Sequence, residues 1–287
     1  MTLARPSLKY KFLLLLLFVF AEFKVYAGGF PLRPGRFLLA PSISYFWARK
    51  EWNSNSMLVP FPNNGQFNSI TTTMYMEYGI SRRVSFVASL PYAINDYHQD
   101  DYHPGKVSGV TDLETGIKYY LANIAYQYYF TIQGTAITPL YKNTSLGYGE
   151  SGAEFKAAFA GSGMIGGTNV YFNIENGIRQ YFGSIGPLQD RYAATFGMTL
   201  DKKLKDQVSL TLSGFYTTSK YKTLTPYQVA NFYTSTNFSF KQVSLSYGHS
   251  FSTRFTALVS AGQFIAGRNT GEGTSASFSI IYRIDTR

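Results

Sequence analysis

The chain has no cysteine, which excludes a disulfide framework and any metal or redox centre built on thiolates. It is also poor in charge. Asp, Glu, Lys and Arg make up 15% of its 287 residues, against about 25% in ordinary soluble domains. It has no long apolar run beyond its N-terminus. A bundle of membrane-spanning helices, each needing about 20 apolar residues, is thereby excluded. What is abundant is aromatic surface: 24 Tyr and 24 Phe, beside 26 Gly. Disorder is excluded, because such a chain has ample apolar surface to order itself.

Residues 1–27 read as an export signal. Arg5, Lys9 and Lys11 form a positive start, and Phe12 to Ala21 is an apolar run too short to span a bilayer. Val25-Tyr26-Ala27 before Gly28 fits a cleavage site. Removal takes away Arg5, Lys9, Lys11, Lys24 and Glu22, leaving 22 basic residues against 15 acidic ones, a net +7. Export argues against nucleic acid as the partner. An anionic membrane surface or an anionic solute is the natural counterpart of that charge.

From Gly35 to Ile284 the hydropathy alternates with a period of two, the signature of half-buried strands. Ile43 and Tyr45 share one face of the first run, and Ile70, Met74 and Tyr78 one face of the second. Phe86, Leu90 and Tyr92 oppose Ser85 and Ser89; Ile117 and Leu121 oppose Asp112, Glu114 and Lys118. Tyr126, Phe130 and Ile132 oppose Thr131 and Gln133, and Phe155 opposes Glu154 and Lys156. The second half continues with Ile174 and Ile178 against Glu175 and Arg179, and Tyr192 and Phe196 against Arg191 and Thr195. Leu210 and Leu212, Leu245 and Tyr247, Val259 and Ile265, and Phe278 and Tyr282 complete the series. That makes twelve strands. Short connections near Arg82, Asn123, Gly166, Lys203 and Ser252 alternate with longer ones at 48–68, 95–109, 140–152, 183–190, 218–230 and 267–274. Tight turns at one end and long loops at the other, with an even strand count, are what outer-membrane barrels show.

One stretch breaks the pattern. Phe232 to Phe240 is apolar on even positions and Val243 to Phe251 on odd ones. Either a β-bulge near Lys241 shifts the register within one long strand, or there is an extra hairpin. The bulge is preferred, because an extra arm would make thirteen strands.

A soluble sandwich or a lipocalin-like barrel also alternates, but buries its apolar face. Here tyrosines gather near the ends of the apolar faces: Tyr45, Tyr78, Tyr92, Tyr119, Tyr126, Tyr192, Tyr216 and Tyr282. That is the pattern of an aromatic girdle at lipid headgroups. The opposite face carries Glu77, Asp112, Glu114, Lys118, Glu154, Lys156, Glu175, Arg179 and Arg191. These nine are the candidate lumen-lining residues. Pairing among themselves is the first expectation, since buried charges rarely persist alone; a constriction that selects solutes by charge is the alternative.

Tyr78-Gly79-Ile80-Ser81-Arg82-Arg83-Val84-Ser85-Phe86 resembles the tight turn of the bacterial outer-membrane barrels known as MetA-pathway phenol-degradation transporters. Gly109-Val110-Thr111-Asp112-Leu113-Glu114-Thr115-Gly116-Ile117-Lys118-Tyr119 is similar to one of their strands, with Thr111 where a Gly is usual, and Leu90-Pro91-Tyr92 also fits. The motifs cover Gly28 to about Pro139. The chain departs again in ending Ile284-Asp285-Thr286-Arg287, without the terminal aromatic common among outer-membrane barrels. The resemblance implies transport of small molecules, hydrophobic ones included, and carries no catalytic residues over.

Two clusters invite other chemistry. Asp96 to His103 holds two His and three Asp, a set able to bind a cation or to activate water. A solvated outer loop is the simpler reading. Ser246, His249 and Ser250 suggest a hydrolase, but alternation points His249 outward and both serines inward, out of mutual reach. Gly161, Gly163, Gly166 and Gly167 mark a turn without an adjoining helix, so no phosphate loop follows. Gly28 to Gly35 is a stiff segment placed to close one mouth of the barrel.

The sequence therefore points to an all-β protein, a transmembrane antiparallel up-and-down β-barrel of about 12 strands, in one domain over 28–287 after a signal peptide at 1–27. It is expected in the bacterial outer membrane, among lipid and lipopolysaccharide and delivered by the barrel-assembly machinery. The expected activity is a channel for small solutes, without catalytic residues, metal or cofactor. A structural barrel serving the envelope or exopolysaccharide export is the alternative, and an outer-membrane hydrolase the third reading.

Overall fold

A computed structural model describes residues 32–100, 105–125, 127–143, 146–184, 186–219 and 237–285. The signal segment, Gly28 to Pro31, Tyr126 and Phe232 lie outside the described residues. Fourteen strands occur among them: β1 (Arg36–Trp52), β2 (Leu58–Pro60), β3 (Gln66–Gly79), β4 (Val84–His98), β5 (Lys106–Val110), β6 (Asp112–Ile124), β7 (Tyr128–Pro139), β8 (Gly152–Ile165), β9 (Thr168–Tyr181), β10 (Leu188–Thr199), β11 (Asp206–Thr218), β12 (Ser239–Ser250), β13 (Phe255–Arg268) and β14 (Thr270–Asp285).

Chain neighbours pair antiparallel in space, and β14 pairs back onto β1 from Arg36 opposite Asp285 to Trp52 opposite Thr270. The sheet therefore closes into a barrel and leaves no edge. Twelve strands build the wall, because β2 is a short flap on β1 and β5 continues β6. Thr111 is the break between β5 and β6. Its N–H donates to the Pro91 carbonyl at 3.0 Å, and its own carbonyl accepts from Leu140. Pro91 has no N–H to give back, so the ladder tolerates an unpaired residue there.

Tight turns gather at one end of the barrel. Ser81 Oγ accepts from the backbone N–H groups of Arg83 and Val84, and Ser252 Oγ does the same for Arg254 and Phe255. Gly166 and Gly167, at φ 56° and 81°, join β8 to β9 in a two-residue hairpin that requires positive φ. The longer connections gather at the other end, hereafter the loop end.

Strand alternation sorts the side chains by face. Ile43, Tyr45, Met74, Phe86, Tyr92, Ile117, Phe155, Ile178, Phe196, Leu210, Leu245 and Phe278 all lie exposed on the outside. A continuous outer belt of large apolar groups is stable in hydrocarbon and not in water. Strands of 12 to 17 residues are long enough to cross such a layer at the usual tilt. No helix among the described residues is long and apolar enough to cross a membrane.

Three sequence expectations need correction. The loops expected at 48–68 and 95–109 are shorter, because β1 extends to Trp52, β4 to His98, and β5 begins at Lys106. No loop spans 267–274: β13 and β14 meet at Asn269, at φ 50°. The bulge near Lys241 is not in that strand. The β11–β12 register is regular throughout, and the extra residue is Ile265 of β13, opposite Lys241 and Gln242. The parity change has another cause: Phe238 and Phe240 point inward.

Candidate functional site in the barrel lumen

The inner face is divided by chemistry. The nine charges expected there all sit on β3, β6, β8, β9 and β10. The wall from β11 to β14 and into β1 carries small hydroxyls such as Ser44, Ser246, Ser260 and Ser277 among apolar and aromatic groups. Ser260 and Ser246 bond each other at 2.8 Å.

Toward the turn end, Glu77 receives three donors. Lys118 Nζ lies 2.7 Å away, Tyr75 donates at 3.1 Å and Tyr120 at 3.4 Å. These side chains come from β3 and β6, on either side of β4, so the contacts close part of the interior. Leu32 is buried at the same end, and Gly35 donates its N–H to the Gly79 carbonyl.

Toward the loop end lies a second, larger cluster. Arg179 Nε donates to Glu154 at 2.8 Å, and its NH2 group donates to Glu114 at 2.5 Å. Arg191 donates to Glu154 at 3.1 Å. Tyr181 donates to Asp112 at 3.0 Å. The Arg179 and Glu154 side chains are only 5% and 3% exposed. A charge buried this deeply is stable only when paired and hydrogen-bonded, and the planar fork of Arg suits two carboxylates at once. Lys156 is held less firmly, 3.9 Å from both Glu154 and Glu175, beyond hydrogen-bond reach.

The other arc at this level is aromatic and was not read from the sequence. Phe46 of β1 meets Phe264 of β13 at 5.2 Å between ring centroids. Phe264 stacks on Phe240 at 4.1 Å, and Phe240 on Phe215 at 5.2 Å. Arg191 then lies over the Phe215 ring at 4.4 Å, a cation–π contact. Phe46 reaches past β14 because Gly273 stands there: a Cβ at Gly273 would collide with the Phe46 ring. Aromatic and ionic arcs thus join at Arg191 and together line the lumen at the loop-end level. The available signal was parity. Phe46, Phe215 and Phe264 occupy the face otherwise held by Ser44, Ser213 and Gly262.

Below this ring is a cavity of about 400 Å³. Glu77, Glu114, Lys118, Lys156 and Glu175 line it together with Leu38, Ala40, Val87 and Ile281, and Glu77 stands directly between Leu38 and Val87 in the sheet. Of the expected lumen residues, these five reach the cavity, while Asp112, Glu154, Arg179 and Arg191 belong to the cluster above it.

The two other clusters resolve into separate contacts. His249 Nδ1 pairs with Asp206 at 2.7 Å on the outer face, whereas Ser246 bonds Ser260 on the inner face. A nucleophile and base on opposite sides of a wall cannot act together. Asp96 lies 3.8 Å from Lys106, and Asp100 accepts from Asn64 at 2.7 Å. Asp101, Tyr102 and His103 lie outside the described residues. Among the described residues no three His, Asp or Glu side chains gather as a metal site.

No family model and no curated protein matches this sequence. Solved structures do resemble the fold. An outer membrane channel from Pseudomonas putida F1 superposes with a TM-score of 0.70 at 11% identity, over 91% of this chain and 100% of that one. The β domain of the Bordetella autotransporter BrkA gives 0.51 at 13% identity, over 87% of this chain and 100% of that one. At such identities the likeness establishes shared architecture: this chain has the closed antiparallel barrel fold of those outer-membrane proteins, built here from twelve wall strands.

Proposed function

We propose that this barrel is a non-enzymatic channel of the bacterial outer membrane that passes small solutes, hydrophobic ones included. The observation that carries the reading is the 400 Å³ cavity inside the lumen, lined by charged and apolar side chains together. A twelve-stranded barrel lies between small barrels filled by side chains and wide aqueous porins. A narrow path with internal space suits single small molecules rather than bulk solvent. The fold shared with the Pseudomonas putida F1 outer membrane channel supports it, as does the resemblance of Gly109–Tyr119 to phenol-degradation transporters. Lipid and lipopolysaccharide surround the apolar belt, and the barrel-assembly machinery delivers it. The turn end, facing the periplasm, carries Arg82, Arg83, Lys202, Lys203, Lys205 and Arg254 on its turns, a fit to anionic lipid headgroups.

The test is single-channel conductance of the refolded mature protein in a planar bilayer. Steady openings altered by Glu154→Gln are expected. A silent barrel that is demonstrably folded would overturn the channel. It would favour a structural or export-associated barrel, a reading the Arg179–Glu114 strut across the lumen also supports.

A further inference from the structure

The cavity has one pair of charges that the fold holds only loosely, Lys156 standing 3.9 Å from both Glu154 and Glu175. Lys118 is committed to Glu77 at 2.7 Å, and Glu114 to Arg179 at 2.5 Å. Lys156 and Glu175 stand 3.9 Å apart, and their side chains are 31% and 34% exposed. The tightly bound lumen charges Glu154 and Arg179 are 3% and 5% exposed by comparison. Asn173 lines the cavity beside Glu175, with its side-chain oxygen turned away from solvent. Across the barrel from this set in strand order are Leu38 and Ala40 of β1 and Ile281 of β14, which line the same cavity.

A cation and an anion that face a cavity without touching can each bind a group of opposite charge. The apolar wall opposite rewards burial of a hydrocarbon body. A volume near 400 Å³ is within the range of small-molecule sites, about 300–1,000 Å³, and leaves room for one small molecule. Pure hydrocarbon would leave Lys156 and Glu175 desolvated against it, at a cost. A simple ion would leave the apolar wall unused.

We propose that the cavity is a binding site for a small zwitterion with an apolar side chain, of the size and chemistry of leucine. Its ammonium lies against Glu175, its carboxylate against Lys156, and its side chain against Leu38, Ala40 and Ile281. The proposal rests on the channel reading, since the solute must reach the cavity through the lumen.

The test separates the two head groups and the two readings. Refolded protein in detergent micelles is titrated calorimetrically with L-leucine, 3-methylbutylamine and 4-methylpentanoate. Leucine is expected to bind tightest, with each half-ligand weaker by about tenfold or more, the worth of one charged hydrogen-bonding group. Glu175→Gln should bring leucine down to the affinity of the carboxylic acid, and Lys156→Gln down to that of the amine. Both side chains are partly exposed, so both variants should fold, as heat-modifiable gel mobility will report. Leucine binding no tighter than its two halves, or affinities unmoved by both substitutions, overturns the site. Conductance is recorded on the same preparations. Conductance without leucine binding removes the site and leaves the channel; leucine binding without conductance removes the channel and leaves the site.

Discussion

Arg179 of β9 holds Glu114 of β6 across the interior, with two strands of wall between them, while its Nε stays bonded to Glu154 at 2.8 Å. One side chain thus ties three strands together. Removing one partner of a buried ionic network costs about 3–5 kcal/mol. Arg191 remains to compensate Glu154, so Arg179→Ala should cost near the lower end, about 3 kcal/mol. Its melting temperature in micelles should fall more than its conductance changes. A large rise in conductance without destabilisation would show that Arg179 gates the lumen rather than bracing it.

Glu77 and Lys118 offer a cleaner measure of an internal ion pair. Both are nearly buried, and Tyr75 and Tyr120 donate to the same carboxylate. Glu77→Gln strands the ammonium, and Lys118→Gln strands the carboxylate. The double variant should be less unstable than the sum of the singles. Denaturant unfolding should give a coupling energy of about 1–3 kcal/mol. Strict additivity would show that the pair contributes nothing.

Asp201 caps the turn from β10 to β11, where it accepts N–H groups from Lys203, Lys205 and Asp206. The backbone N–H of Asp206 foremost, then those of Lys205 and Lys203, hold its carboxyl below the ordinary value of 3.8. A pKa lowered by folding means that the stabilisation is present above the unfolded value and is lost as pH falls through the folded one. Asp201→Ala should therefore be less stable than the parent at about pH 7, by an amount that shrinks once the pH drops below 3.8. Unfolding curves at several pH values check this, and a gap that persists in strong acid refutes the assignment.

The aromatic arc should restrict the lumen. Phe264 is its middle, between Phe46 and Phe240. Phe264→Ala should raise single-channel conductance, at a stability cost below the ~3–5 kcal/mol of a fully buried ring. Unchanged conductance would place the narrowest point elsewhere.

Alternation alone made the barrel legible. Tyr45, Ile117, Phe155 and Phe278 are exposed outside, and Glu154 and Arg179 are buried inside, because side chains of a strand alternate strictly between faces. The same rule misled where aromatic residues stood on the polar parity. Phe240 looked like the outward face of a shifted strand; it faces in, and the extra residue is Ile265 on the neighbouring β13. A register depends on both strands of a pair, so one strand's pattern cannot say which of them carries the bulge.

The sequence by itself determined which residues share a face, and hence a belt for hydrocarbon and a set of inward charges. That follows from local geometry, the period of two built into every extended chain. Only the tertiary structure decided that Arg179 meets Glu114, that four phenylalanines join into one arc ending at Arg191, and that Lys156 and Glu175 are left facing a cavity. Those contacts link strands far apart in the chain. They exist only once closure and register set which inward side chains share a level of the barrel.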